Sequence, residues 1–260
     1  MNTPASVFDN SMEKWLRDNG LPWMKLKTEL GLSNLRKHLP GKSLRILDAG
    51  GGSGYDALPL ARDGHRIDLV DYSAEMLKAA RTDAEREGLQ ETMRFHQADV
   101  LDLDQLFPQS VFGAVVCHNV LQFVGDVPRL LSILSHALAL GGILSLISPN
   151  RHSLPYRKAF LDKDLDEAFR QIGSRTFRNM IFDTIMTEYS VDEIRDILPA
   201  AGLDFVAHYG IRCFADYWGD NETKLRPAVW EKIAKLEYAL TDKEPYNLLA
   251  RFWQIIARKP

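Results

Sequence analysis

The run Asp48-Ala49-Gly50-Gly51-Gly52-Ser53-Gly54 follows the short β-favouring stretch Leu44-Arg45-Ile46-Leu47 and opens a helical pattern from about Tyr55 to Arg62. Few folds accept so much glycine between a strand and a helix. Glycine allows positive φ and close backbone approach, and the order strand, turn, helix sets main-chain N–H groups and a helix N-terminus at a sheet edge, where a nucleotide-like ligand can lie. The spacing narrows this further. A dinucleotide fingerprint needs G-x-G-x-x-G, and counted from Gly50 the third place is Tyr55, so a pyrophosphate site is disfavoured.

The alternation continues along the chain. Arg66 to Asp71 reads as a second strand, and Ser73 as the N-cap of a helix reaching about Glu87, before Gly88. A third strand is expected near 93–97, a fourth over Val111 to Cys117, a helix over 127–139 and a fifth strand from Gly142 to Ser148 that Pro149 ends. Residues 203–210 and 249–258 read as two last strands with a helix over 226–240 between them, preceded by a helix over 190–200. Strands alternating with helices of this length imply an α/β fold with a doubly wound, mostly parallel, seven-stranded sheet flanked by helices. Helices over 11–18 and 23–39 form a lead-in. Residues 154–187 break the cadence, are helical in propensity and carry Arg157, Lys158, Lys163, Arg170, Arg175 and Arg178. The expected organisation is one domain over 1–260, with a helical lead-in at 1–42, an α/β core at 43–150 and 188–260, and a helical cap at 151–187.

Composition removes several alternatives. Hydrophobic residues make up 45% and charged residues 26%, ordinary for a packed domain. The formal net charge of -3, from 32 basic and 35 acidic residues, gives no global field for nucleic acid. Cys117 and Cys213 have no metal or disulfide spacing, so neither a zinc site nor a disulfide framework is expected and the compartment reads as cytoplasmic. The first residues lack the basic-then-apolar order of a secretory signal, and no apolar run is long enough to span a bilayer.

Chemistry concentrates at the strand ends. Asp71, with Tyr72 beside it, ends the second strand, where a carboxylate can accept both hydroxyls of an adenosine ribose. Asp99 after the third strand can accept from an adenine amino group with Val100 beside the ring, or it caps a turn. His118 and Asn119 follow the fourth strand, where they take a direct part in the chemistry, contact cofactor or substrate, or serve the frame. No [DNS]-P-P-[YF] follows that strand, which disfavours methylation of exocyclic amines in DNA.

The turn resembles the first motif of class I methyltransferases, whose leading acid, here Asp48, helps hold the amino-acid end of S-adenosylmethionine. Gly210-Ile211-Arg212-Cys213-Phe214-Ala215-Asp216-Tyr217, Leu236-Glu237, Glu244-Pro245-Tyr246 and Ala257-Arg258-Lys259-Pro260, taken with the turn, resemble the bacterial tRNA carboxymethoxyuridine methyltransferases nearly end to end. The resemblance implies a Rossmann-like fold, S-adenosylmethionine as cofactor, S-adenosylhomocysteine as product, and esterification of a tRNA wobble-uridine carboxylate. By matching position, Lys27 stands for a family arginine near the cofactor carboxylate, Gly50 and Gly51 (with Gly52) for cofactor-contacting glycines, Asp71 for the ribose acid and His118 for a histidine. Ala98-Asp99 stands where the family has Ala-Ala, and scattered arginines stand for a dense lysine run. A carboxylate acceptor is ionised at neutral pH, so the reaction needs positioning more than a base. Arg212 is the candidate to orient it through a planar fork, with Tyr217 and Tyr246 as hydrogen-bonding or base-stacking neighbours, or else it is a strand-end arginine paired to Asp216. A small-molecule acid, phenol or amine under the cap is the alternative acceptor, and a non-catalytic cofactor-binding protein the remaining one. The oligomeric state is not readable.

Overall fold

A computed structural model describes residues 21–109, 111–179 and 184–260; the side chains of Arg178 and Asn179 and the helix expected over 11–18 lie outside what is described. Helix α1 (Pro22–Arg36) begins with Pro at its first turn, a position where a missing N–H costs nothing. Its buried Leu26 and Leu30 pack on Ile147, Ile211 and Phe252, which lie near the ends of three strands of the sheet.

The core then alternates: β1 (Arg45–Ala49), α2 (Ala57–Arg62), β2 (Arg66–Asp71), α3 (Ala74–Arg86), β3 (Met93–Gln97), a short α4 (Leu103–Leu106), β4 (Phe112–His118), α5 (Val127–Ala137) and β5 (Leu138–Pro149). Ser73 caps α3 by accepting from Met76 N, as its place before the apolar pattern predicts. Strand β5 starts at Leu138, earlier than expected, because its pairing with β4 shifts between Phe112 and Ala114, and it runs through Pro149, which pairs with Phe252. After the insertion come α8 (Val191–Ile197), β8 (Asp204–Ile211), α9 (Asn221–Lys224), α10 (Pro227–Leu240) and β9 (Phe252–Arg258), the numbers α6, α7, β6 and β7 belonging to the insertion described below.

The sheet order is β3-β2-β1-β4-β5-β9-β8, with β9 antiparallel to both of its neighbours and the first five strands parallel. Burial of β1, β4 and β5 on both faces explains their near-continuous apolar runs. One core face gathers Leu47, Val115, Leu144 and Trp253, the other Ile46, Val116, Ile143 and Ile256. Strand order reverses between β1 and β4, which opens a crevice at their carboxyl ends.

The insertion is helical only in its first half, with α6 (Ser153–Arg157), a single wide turn over Lys158–Asp162 and α7 (Leu165–Arg170). The expectation of helix up to 187 is corrected here. Thr176–Asn179 (β6) and Thr184–Thr187 (β7) pair as an antiparallel ribbon, as β-branched and aromatic residues favour, with Met186 buried and Ile185 turned out. Among the described residues no helix is long and apolar enough to cross a membrane.

Candidate active site

A cavity of about 540 Å3 lies over the crevice, the size of a small-molecule pocket. Lys27, Asp48, Gly50, Gly51, Gly52, Asp71, Tyr72, Asp99, Val100, His118 and Arg212 all line it. The topology thus brings together every residue singled out for cofactor contact, although they come from α1, β1, β2, β4 and three loops.

The glycine turn does not work as the sequence suggests. Its first amides are spent inside the protein: Gly50 N and Gly51 N donate to Val70 O at 2.8 and 3.1 Å, and Gly52 N donates to Asp71 Oδ2 at 2.9 Å. These bonds bind the turn to β2, and what the turn offers the cavity is bare backbone surface. Gly50 has φ of 74°, and a Cβ there would stand 2.5 Å from Val120 Cγ2. At Gly51 a Cβ would stand 2.5 Å from Asp48 Oδ2. The glycines therefore keep the floor low instead of donating to a ligand.

Carboxylates supply the polarity at this end. Asp48 is buried, and its Oδ2 has no hydrogen-bond partner. Burial first, then the neighbouring charges of Asp56 and Asp71, push its carboxyl well above the usual range. Burial also raises Asp56, but His118 and Lys27 outweigh it and hold that carboxyl below the usual value. Asp71 Oδ1 accepts from Ser73 N at 2.9 Å, so both oxygens are oriented by the backbone. An anionic wall with an orphaned carboxylate oxygen suits a ligand bearing positive charge, and S-adenosylmethionine carries an ammonium and a sulfonium; the residues fit that cofactor.

His118 is placed differently from the catalytic role expected of it. Its Nδ1 lies 3.0 Å from Asp56 Oδ2 and its Nε2 2.8 Å from Ser145 Oγ, which also accepts from Gln254 Nε2 at 2.9 Å. An ionised Asp56 can only accept, so Nδ1 carries the proton and Nε2 receives the Ser145 hydroxyl. Both ring nitrogens are committed, and the imidazole holds Asp56 without being free to move a substrate proton. Asp99 caps a turn, its Oδ1 accepting from Leu101 N at 2.9 Å, and it lines the cavity beside Val100.

Cations define the opposite end. Lys27 Nζ, Arg212 Cζ and Arg251 Cζ stand 5.4, 5.4 and 4.7 Å from the centre of the Phe252 ring. All four residues line the cavity. Arg212 sits at φ 63° just after β8 and is paired to Asp216, the ion pair the sequence offered as its structural alternative, yet its Nε has no hydrogen-bond partner. Arg251 Nη1 lies 3.7 Å from Glu188 Oε1 and also lacks a hydrogen bond. Burial first, then the charge of Arg157, bring the Arg251 guanidinium down to about 9. Burial lowers the Lys27 ammonium to about 8, with Asp56 opposing and the two arginines reinforcing. Arg212 Nε and Arg251 Nη1, buried without hydrogen bonds, leave this end able to take an anion.

Tyr217 and Tyr246 are not among the residues lining the cavity. The Tyr217 hydroxyl donates to Leu249 O and its ring packs edge-on against Tyr156 and Phe160 of the insertion, so it braces the insertion and does not face reacting atoms as expected. Tyr246 is mostly exposed. Sequence reasoning missed Asp56, Arg251, Phe252 and Trp23, all of which line the cavity. Position after the glycine turn could have flagged Asp56; nothing local marks Arg251.

Residues 40–202 match the family described as methyltransferase domain. The tRNA 5-carboxymethoxyuridine methyltransferase of Escherichia coli (strain K12) is 29% identical over 259 residues, covering 97% of this chain and 96% of that protein. The ubiquinone biosynthesis O-methyltransferase of Xylella fastidiosa (strain 9a5c) is 27% identical over 219 residues, 84% of this chain and 77% of that protein. Among solved structures, an S-adenosylmethionine dependent methyltransferase from Mesorhizobium loti superposes with a TM-score of 0.57 at 22% identity, covering 88% of this chain and 97% of the other. Geranyl diphosphate C-methyltransferase from Streptomyces coelicolor A3(2), bound to S-adenosyl-L-homocysteine, gives 0.58 at 18%, covering 88% and 74%. With that family match across more than half of its length, and an acidic cleft at the reversal of a seven-stranded sheet, the chain belongs to the methyltransferase domain family and is a Rossmann-like, S-adenosylmethionine-dependent methyltransferase.

Proposed function

We propose that this enzyme esterifies the carboxylate of 5-carboxymethoxyuridine at the wobble position of tRNA, acting in the cytoplasm. The observation that carries this reading is the convergence of Lys27, Arg212 and Arg251 on Phe252, with Arg212 Nε and Arg251 Nη1 left without hydrogen bonds, in the same cavity as the acidic wall. The end-to-end likeness to the Escherichia coli tRNA enzyme supports it.

Bound S-adenosylmethionine supplies an electrophilic methyl group on its sulfonium. In this reading Asp71 accepts from the ribose hydroxyls, Asp99 and Val100 meet the adenine with Tyr72 beside it, and Asp48 and Asp56 face the ammonium, with His118 holding Asp56. Lys27 takes the amino-acid carboxylate, while Arg212 and Arg251 turn the acceptor carboxylate toward the methyl group. The acceptor is ionised near neutrality, its pKa being about 4, so no side chain has to remove a proton. Holding the reacting atoms in line can lower a barrier by roughly 7–11 kcal/mol, which suits a site whose only histidine is committed elsewhere.

Nucleoside mass spectrometry of tRNA from cells lacking the gene tests this: the methyl ester should vanish and the free acid accumulate. An unchanged ester content rejects the tRNA acceptor. A second reading, a small-molecule acid, phenol or amine, has its own support in the small-molecule size of the cavity and in the ubiquinone O-methyltransferase likeness. Salt separates the two, since tRNA affinity should fall steeply between 50 and 200 mM salt and affinity for a small buried acid should not.

A further inference from the structure

The loop that carries Arg212 is held from outside the cavity. Glu237, on α10, is fully buried, and among the described residues no Lys or Arg forms an ion pair with it. Its two oxygens instead accept three consecutive main-chain N–H groups: Cys213 N to Oε2 at 2.6 Å, and Phe214 N and Ala215 N to Oε1 at 2.8 and 2.6 Å. The carbonyl side of the loop is met by another charge on a neighbouring helix, since Lys224 Nζ donates to Ala215 O at 3.3 Å and Trp218 O at 3.2 Å. One turn beyond Glu237, Gly210 N donates to Thr241 O and Thr241 Oγ1 to Gly210 O, both at 2.7 Å, tying the end of β8 to the same helix.

We propose that Glu237 is a positioning residue for the acceptor end: by gathering the amides of Cys213, Phe214 and Ala215 on one buried carboxylate, it fixes the left-handed turn at Arg212 and so aims that guanidinium into the cavity. A non-glycine residue at φ 63° needs its surroundings to impose that conformation. Three charge-assisted bonds to the next three residues impose it. The effect reaches a second cation, because Arg251 N donates to Arg212 O at 3.0 Å, so a displaced turn displaces the Arg251 backbone too. Nothing in the clamp touches the glycine turn, so it bears on acceptor binding and leaves cofactor binding alone. This rests on the reading of Arg212 as an acceptor contact.

Truncation to Ala would leave three interior N–H groups without an acceptor and endanger folding, so Glu237→Gln, which keeps one accepting oxygen, is the working variant. Amide exchange read by mass spectrometry needs no substrate. In Glu237→Gln, exchange over 211–218 and 249–252 should quicken by about tenfold or more while β4 stays protected; unchanged rates there, or a uniform rise along the chain, overturn the clamp. Turnover then tests its purpose. With tRNA bearing 5-carboxymethoxyuridine, kcat/KM should fall about tenfold while the Kd for S-adenosylhomocysteine stays within about twofold, and in an Arg212→Ala background Glu237→Gln should add much less than about tenfold, only what passes through Arg251. Losses that multiply in the double variant, or cofactor affinity falling in step, reject a role exerted through Arg212. If the unaltered enzyme does not turn over this tRNA, the proposed acceptor fails, and the exchange rates still decide the clamp.

Discussion

The two ends of the cavity are built by opposite means. The acidic end is local: Asp48, the glycine turn and Asp56 lie within nine residues, and β2 adds Asp71 through bonds to the turn itself. The cationic end is assembled at long range, with Lys27 from α1, Arg212 after β8 and Arg251 before β9 brought round one ring. One end is made of backbone conformation and carboxylates, the other of long cationic side chains whose aim depends on distant packing. A local end tolerates no change of shape; a distributed end loses strength by degrees.

The sharpest way to break this contrast is Gly50→Ala. The added Cβ meets Val120 and the positive φ is costly for any side chain, so S-adenosylhomocysteine affinity by calorimetry should fall about a hundredfold or more. Affinity within threefold of the unaltered enzyme would show that the floor can yield. Next in size, Arg212→Ala should lower kcat/KM for the acceptor about a hundredfold, as when one partner of a buried charge pair is removed, with cofactor Kd nearly constant. Loss of cofactor affinity instead would merge the two ends into one site.

A smaller effect separates charge from shape. Lys27 loses its proton as pH rises through about 8, so it is cationic below that value and neutral above it. Affinity for S-adenosylhomocysteine should therefore be highest below pH 8 and drop by about tenfold between pH 8 and 10, while Lys27→Arg, charged throughout, should lose the step centred near pH 8. A step near pH 8 that persists in the arginine variant would assign the titration elsewhere. The smallest effect belongs to His118→Gln. Because both imidazole nitrogens are engaged by Asp56 and Ser145, turnover should drop by less than about tenfold, and the pH dependence of kcat between 6 and 8 should keep its shape. Disappearance of a limb of that profile would restore the histidine as an acid or base.

The same division decides what could be read from sequence. Strand, glycine turn and helix at 44–62 are legible because their signals are adjacent, and Asp71 follows from being the last residue of the next strand. The use of the turn's amides was not legible, since their acceptor, Val70 O, belongs to β2. In the insertion, the helical character of 153–170 masks the short β pattern of Thr184-Ile185-Met186-Thr187, whose partner strand is the other half of the ribbon. Arg251 precedes an apolar strand and resembles any strand-flanking cation until β9 is set between β5 and β8. Arg212 could be named, but the carboxylate that accepts the amides of its loop, Glu237, lies twenty-five residues on, in a helix.

The cations gathered round Phe252 also give the proposed reaction a direction. In that reaction an acid arrives carrying a full negative charge and leaves as a neutral ester, so the chemistry itself cancels the attraction that seated the carboxylate. Starting material and finished product differ in bulk by a single methyl group, too little for steric sorting, yet only the first is charged there. On this reading, release of the ester is built into the electrostatics of the pocket.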